Sequence, residues 1–213
     1  GGGGGGGGGG NIGGGGFMVY HGEDGDATTF DFREKAPLAA TERMFLGLDG
    51  NVVNNSNHMG ALSVGVPGTV AGLWKAHQER GSLPWEQLVA PAVKLAREGI
   101  PISYSLQSGF LRNKSRFDLY PSSQQKFFKA DGTAYELGER WVQEDLAHTL
   151  ELIQANGRDG FYKGENAKLL ADFMAANGGI ITEEDLALYQ PVEREPVRGT
   201  YRGYEIVSMP PPS

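Results

Sequence analysis

Arg33 is the residue whose type and position point most directly to chemistry. It stands in Asp31-Phe32-Arg33-Glu34-Lys35-Ala36-Pro37, where a run of β-formers, Thr28-Thr29-Phe30-Asp31-Phe32, gives out. A strand end facing a cleft is where a rigid scaffold meets its ligand. A guanidinium there can hold a carboxylate through two parallel N–H bonds, a geometry that Lys cannot copy. The same side chain could instead close a structural ion pair with Asp31 or Glu34. The local sequence is compatible with both.

Other segments are weaker. Gly13-Gly14-Gly15-Gly16 opens a strand, where a dinucleotide fingerprint would follow a strand and open a helix. It suits either a tight chain reversal or a backbone that must approach a ligand or a neighbouring chain closely. Ser63-Val64-Gly65-Val66-Pro67-Gly68-Thr69 leads into a helix and could offer N–H groups to an anion. A strand-to-helix turn with Pro at the first helical position accounts for it more simply. Thr28-Thr29 resembles the pair that an N-terminal-Thr hydrolase uses, but it lies inside a strand pattern and reads as a β-former. Trp74, Trp85 and Trp141 fall in amphipathic patterns and read as core residues.

Composition excludes several classes. The 213 residues carry 19 Lys and Arg against 26 Asp and Glu, a net charge of −7, which disfavours nucleic acid. The densest basic group, Arg112, Lys114 and Arg116, reads as solvated surface at a helix end. With no cysteine, disulfides, thiol catalysis and thiolate metal sites are absent. His21, His58, His77 and His148 lie far apart, so no metal or cofactor is expected. No apolar run approaches the ~20 residues of a membrane-spanning helix. Gly1–Gly10 is a polyglycine placeholder or an added run, which leaves residues 11–213 as one partial domain.

The elements that must position Arg33 follow from periodicity and punctuation. Phe17–Tyr20 and Thr28–Phe32, around the Asp24-Gly25 turn, predict a largely buried hairpin. Helices are predicted from Pro67 to Gly81 and from Pro84 to Gly99. The second of these has Leu88, Ala92, Leu95 and Ala96 on one face and a kink or break at Pro91. Further helices are predicted over Tyr104–Asn113, Glu144–Asn156 and Glu165–Asn177. Thr182 and Asp185 have capping-box spacing for a short helix through Tyr189. Lys126–Lys129 reads as an exposed hairpin. Val192–Arg198 and Tyr204–Val207, linked through Gly199, read as closing strands that Met209–Ser213 ends. Strands, then helices, then strands make an α+β or layered fold.

Six segments in order resemble the γ-glutamyltranspeptidase family. They are Asn11–Met18, Asp31–Pro37, Gly65–Gly72, Leu83–Trp85, Gly178–Leu186, and Tyr201–Ile206 running into Ser208–Ser213. The resemblance covers essentially everything after Gly10. It implies an αββα sandwich of the N-terminal-nucleophile hydrolase type. The family's precursor cleaves itself into large and small subunits, and the small subunit's new N-terminal Thr attacks a γ-glutamyl amide such as glutathione. Arg33 matches the family Arg that grips the donor's α-carboxylate. The resemblance further implies a periplasmic or secreted enzyme and a heterodimer with the small subunit. The chain is expected to be a large-subunit fragment that binds donor but lacks the nucleophile, the oxyanion donors and the Thr-Thr-His cleavage motif. The alternatives are a sibling amidase, such as a cephalosporin acylase or a poly-γ-glutamate-processing enzyme, and a non-catalytic interaction protein of the same shape.

Overall fold

The structure, a computed structural model, describes residues 11–54, 56–57 and 60–211. The opening ten glycines, His58, and the final Pro212 and Ser213 lie outside the described residues. The chain divides into two compact units, residues 1–83 with 156–213, and residues 84–155.

In the first unit, β1 (Phe17–His21) and β2 (Ala27–Asp31) form the expected antiparallel hairpin, with Phe17 opposite Asp31 and His21 opposite Ala27. Every residue of β2 is buried, but Phe17, Val19 and His21 are exposed. The expected burial of both runs therefore holds for β2 alone: among the described residues β1 lies at the edge of the sheet β1-β2-β5, and one face of its side chains is left uncovered. The helix α1 (Thr69–Arg80) begins just past Pro67 and stops where the Gly81 N–H bonds the His77 carbonyl at 2.8 Å. Its Ala76 packs on Phe30 and Phe32, a cluster flanked by Met18 and Tyr20. Burying each Phe contributes about 2–3 kcal/mol.

The second unit is mostly helical. α2 (Trp85–Glu98) runs unbroken through Pro91, so of the expected kink or break the break does not occur. A missing N–H removes one bond, and the turns on either side continue the ladder. Its buried stripe is also rotated from the expected one. Ala96 is buried with Val89 and Val93 partly so, whereas Leu88, Ala92 and Leu95 are exposed. Both stripes have helical spacing, and tertiary bonds select between them: Trp85 Nε1 donates to the Ile153 carbonyl at 2.9 Å, and Gln143 N to that of Ala96 at 3.1 Å. Next come β3 (Ile100–Pro101), α3 (Tyr104–Arg112), α4 (Lys114–Phe117), α5 (Pro121–Phe127), β4 (Arg140–Trp141), which pairs with β3, and α6 (Glu144–Asn156). The hairpin expected at Lys126–Lys129 is instead the end of α5. Phe128 is fully buried with Ile102, Phe110 and Trp141, and Phe127 stacks on Phe117 at 4.2 Å. The flanking lysines had made two core aromatics look exposed.

Back in the first unit, α7 (Asp159–Tyr162), α8 (Gly164–Ala176) and α9 (Glu183–Leu188) precede β5 (Val192–Arg194). The Thr182–Asp185 capping box is formed in both directions. β5 pairs antiparallel with β2, placing Arg194 opposite Thr29 and Val192 opposite Asp31. A separate hairpin, β6 (Val197–Tyr201) and β7 (Tyr204–Ser208), turns at Arg202-Gly203, whose φ values are 50° and 84°. Gly199, expected as the link, lies inside β6. The primed turn needs two positive φ angles in succession, which Gly203 takes without strain. The α+β class is the one read from the sequence.

Candidate functional site

Arg33 sits where β2 leaves the sheet, and its main chain is fixed on every side. The ladder continues one step beyond β2, with Phe32 N donating to Gly16 O at 2.9 Å and Gly16 N to Phe32 O at 3.2 Å. Two residues on, Lys35 and Val66 exchange bonds of 3.1 and 2.7 Å. Between these anchors the Arg33 carbonyl accepts the Tyr189 hydroxyl at 2.8 Å. The Tyr189 ring stacks on Tyr162 at 5.7 Å, and the Tyr162 hydroxyl donates to Pro67 O at 2.7 Å. Burial pushes the Tyr162 hydroxyl up to about 12 and raises that of Tyr189 too, so both stay protonated donors at neutral pH.

Glycine makes this approach possible. The Gly14 carbonyl accepts the N–H groups of Gly68 and Thr69, at 2.8 and 3.1 Å, and so caps the start of α1. A Cβ at Gly15 would lie 2.7 Å from Glu34 N and 2.8 Å from Arg33 Cα. One at Gly68 would overlap the Phe32 carbonyl and the Tyr189 hydroxyl, and one at Gly72 the Phe32 ring. The tetraglycine therefore tucks beneath the backbone that carries Arg33, and the N–H groups of Gly68 and Thr69 are taken by protein.

The guanidinium is held from one edge. Arg33 Nε and Nη2 donate to the two Asp31 carboxylate oxygens at 3.1 and 2.7 Å, and Arg33 N adds a third bond at 3.2 Å. Arg194 Nε, brought over by β5, donates to the same carboxylate at 3.2 Å. The Arg33 fork above all, with Arg194 adding to it, holds the Asp31 carboxyl down at about 2 against the opposing effect of burial. The same bond raises Arg33. Nη1 and the second Nη2 proton form the opposite edge, and Nη1 bonds no described residue. The Arg33 side chain is 30% exposed against 10% for Asp31. Two Arg and one Asp leave one net positive charge facing solvent, which suits a carboxylate presented to the free edge.

A sequence model described as gamma-glutamyltranspeptidase matches residues 8–213. The chain belongs to the gamma-glutamyltranspeptidase family. It is 48% identical over 197 residues to the glutathione hydrolase proenzyme of Pseudomonas sp. (strain A14), covering 92% of this chain and 34% of that protein. It is 37% identical over 196 residues to the acylase ACY 1 proenzyme of Pseudomonas sp. (strain SE83), covering 89% and 35%. The solved gamma-glutamyltranspeptidase of Helicobacter pylori matches with a TM-score of 0.92 and 49% identity, over 95% of this chain and 58% of that one. The chain thus spans about a third of the length of these curated relatives, both named as proenzymes.

Within this gamma-glutamyltranspeptidase fold, the other candidates take structural places. Thr28 and Thr29 are buried β-formers whose hydroxyls donate to Glu193 Oε1 and Arg194 O, each at 2.7 Å. Lys114 pairs with Asp118 at 2.8 Å and Arg112 bonds the Ser108 carbonyl, as expected of a solvated helix surface. Trp141 is core, and Trp74 and Trp85 are partly buried. Among the described residues no helix is long and apolar enough to cross a membrane. Sequence reasoning named Asp31 as a possible partner of Arg33 but missed Arg194 and Tyr189. Both act across more than 150 residues, and no local signal marks either.

Proposed function

We propose that this chain is the donor-recognition part of a γ-glutamyltransferase and glutathione hydrolase, in which Arg33 holds the α-carboxylate of the γ-glutamyl donor. The observation that carries this reading is the open Nη1–Nη2 edge of a guanidinium already fixed along its other edge. A carboxylate bound there leaves the γ-amide carbonyl at a set distance for attack, so binding energy is converted into orientation. On this reading the nucleophile is an N-terminal Thr of a small subunit from the same precursor, with its own amine as general base. The amine of the donor amide leaves, and water or an acceptor amine releases the γ-glutamyl group from the acyl-enzyme. A periplasmic or secreted location goes with it and is tested by cell fractionation.

The identity to an acylase proenzyme supports a second reading, cleavage of an amide with a different acyl group, for which a glutaryl amide is a suitable probe. Glutaryl keeps a carboxylate for Arg33 but lacks the α-amine of glutamate. The processed enzyme should be assayed with γ-glutamyl and glutaryl anilides, with and without an amine acceptor. Turnover of the γ-glutamyl donor, increased by acceptor, is expected. Preference for the glutaryl compound would favour the acylase, and inactivity towards both would reject both readings.

A further inference from the structure

We infer that Asp31, braced by Arg194, is a positioning residue for donor recognition: it selects which edge of Arg33 meets the donor carboxylate. The inference rests on the Arg33 reading above and concerns the residues behind it.

A guanidinium has two forks, one along Nε and Nη2 and one at the end along Nη1 and Nη2, and a free Arg side chain offers either. Here the Asp31 carboxylate occupies the first through Nε and Nη2. Only the end fork is left for ligand. Asp31 is itself held in place by several bonds. It closes β2, lies opposite Phe17 on one side and Val192 on the other, and accepts four N–H groups, from Arg33 N, Nε and Nη2 and from Arg194 Nε. Arg194 reaches it diagonally across the β2–β5 ladder. The carboxylate, not the chain, sets the orientation of the Arg33 side chain, while the Tyr189 hydroxyl fixes the Arg33 carbonyl.

Charge and position make opposite predictions, which gives the idea a sign. Asp31→Asn removes a negative charge beside Arg33, so attraction alone would tighten binding of an anionic donor. Loss of the lock frees the guanidinium to turn, and its rotamers must be ordered again on each binding event, which weakens binding. An Asn amide also presents N–H toward Arg33 Nη2 or Arg194 Nε, where an acceptor is needed. The position argument wins if the fork is what the donor recognises.

The experiment compares wild type, Asp31→Asn and Arg33→Ala in the processed enzyme carrying this chain. The donors are a γ-glutamyl anilide and the matching 4-aminobutyryl anilide, which lacks the α-carboxylate. For Asp31→Asn we expect KM for the γ-glutamyl donor to rise about tenfold with kcat little changed, the size of one lost charge-assisted bond. The 4-aminobutyryl donor should show no change, which a general disturbance of the fold would not allow. Arg194→Lys keeps the charge and loses the Nε contact. It should raise KM by roughly two- to threefold, and it tests the brace even if Asp31→Asn fails to fold. An unchanged or lower KM in Asp31→Asn, or in Arg194→Lys should the former not fold, overturns the positioning role. So does an equal loss on both donors. If Arg33→Ala leaves the γ-glutamyl KM unchanged, the Arg33 reading itself fails, and the inference with it.

Discussion

Replacing Gly15 by Ala should damage donor binding far more than its distance in sequence from Arg33 suggests. The added Cβ would lie 2.7 Å from Glu34 N and 2.8 Å from Arg33 Cα. Both are backbone atoms, so no side chain can swing away. Ordinary contact needs about 3.5 Å, which requires the Arg33–Glu34 backbone or the glycine run to shift by roughly 0.7 Å or more. Overpacking of this kind costs about 1–3 kcal/mol, less the 0.4–1 kcal/mol that Ala gains by restricting the unfolded chain. A misplacement approaching 1 Å can lower the rate by up to about 10²-fold, so kcat/KM for a γ-glutamyl anilide should fall by roughly 10–100-fold. Gly13→Ala is the internal control, because its Cβ meets only Asn11 Oδ1 at 3.7 Å. The assay is steady-state kinetics and thermal melting of the two variants beside wild type. If Gly15→Ala matches Gly13→Ala in both, the glycine run is not what seats Arg33.

Asp31, held at about 2 in the fold, should contribute about 2 kcal/mol to stability. The contribution is complete above pH ~4, where Asp is ionised in the unfolded chain as well, and is lost as pH falls towards 2. Acid denaturation of wild type and Asp31→Asn tests this, the gap between them narrowing below pH ~4; a gap that does not change with pH contradicts it. Thr182→Ala removes a capping box whose Asp185 also accepts the Leu38 N–H at 2.8 Å, and should cost about 1 kcal/mol. Thr182→Ser should restore most of that stability in urea titration. Phe128→Ala empties a fully buried site in the second unit and should cost about 3–5 kcal/mol, read as earlier protection loss for residues 84–155 in hydrogen exchange.

What was legible in the sequence is what local physics decides. The Thr182–Asp185 box, the Asp24-Gly25 hairpin and the span of α6 each depend on residues within a turn or two of one another. The Asp31–Arg33 pair was readable for the same reason, two residues apart at a strand end. The rest required the tertiary fold. Arg194 meets Asp31 only because β5 adds to β2, and Tyr189 meets Arg33 only through the packing of α9. Leu88 and Leu95 have the same periodicity as Val89 and Ala96, so the buried face of α2 could not be chosen from spacing. Phe127 and Phe128 read as exposed because composition marks Lys-flanked aromatics followed by Asp-Gly as a surface turn, while the ring cluster they join draws on residues from 102 to 141.

The central claim is that Arg33 holds the donor's α-carboxylate through its fork, and Arg33→Lys tests it most directly by keeping the charge and removing the planar geometry. Processing by gel and steady-state kinetics should be measured side by side in the full enzyme, with a γ-glutamyl anilide as donor. A lost charge-assisted bond costs ~1.5–3 kcal/mol, so kcat/KM should fall by at least about tenfold, through KM if the contact serves ground state and transition state alike. Autocleavage should be intact, since no donor carboxylate takes part in it. Normal efficiency in Arg33→Lys would reduce Arg33 to an ion-pair partner of Asp31, and failed processing would assign it to folding; either result contradicts the account.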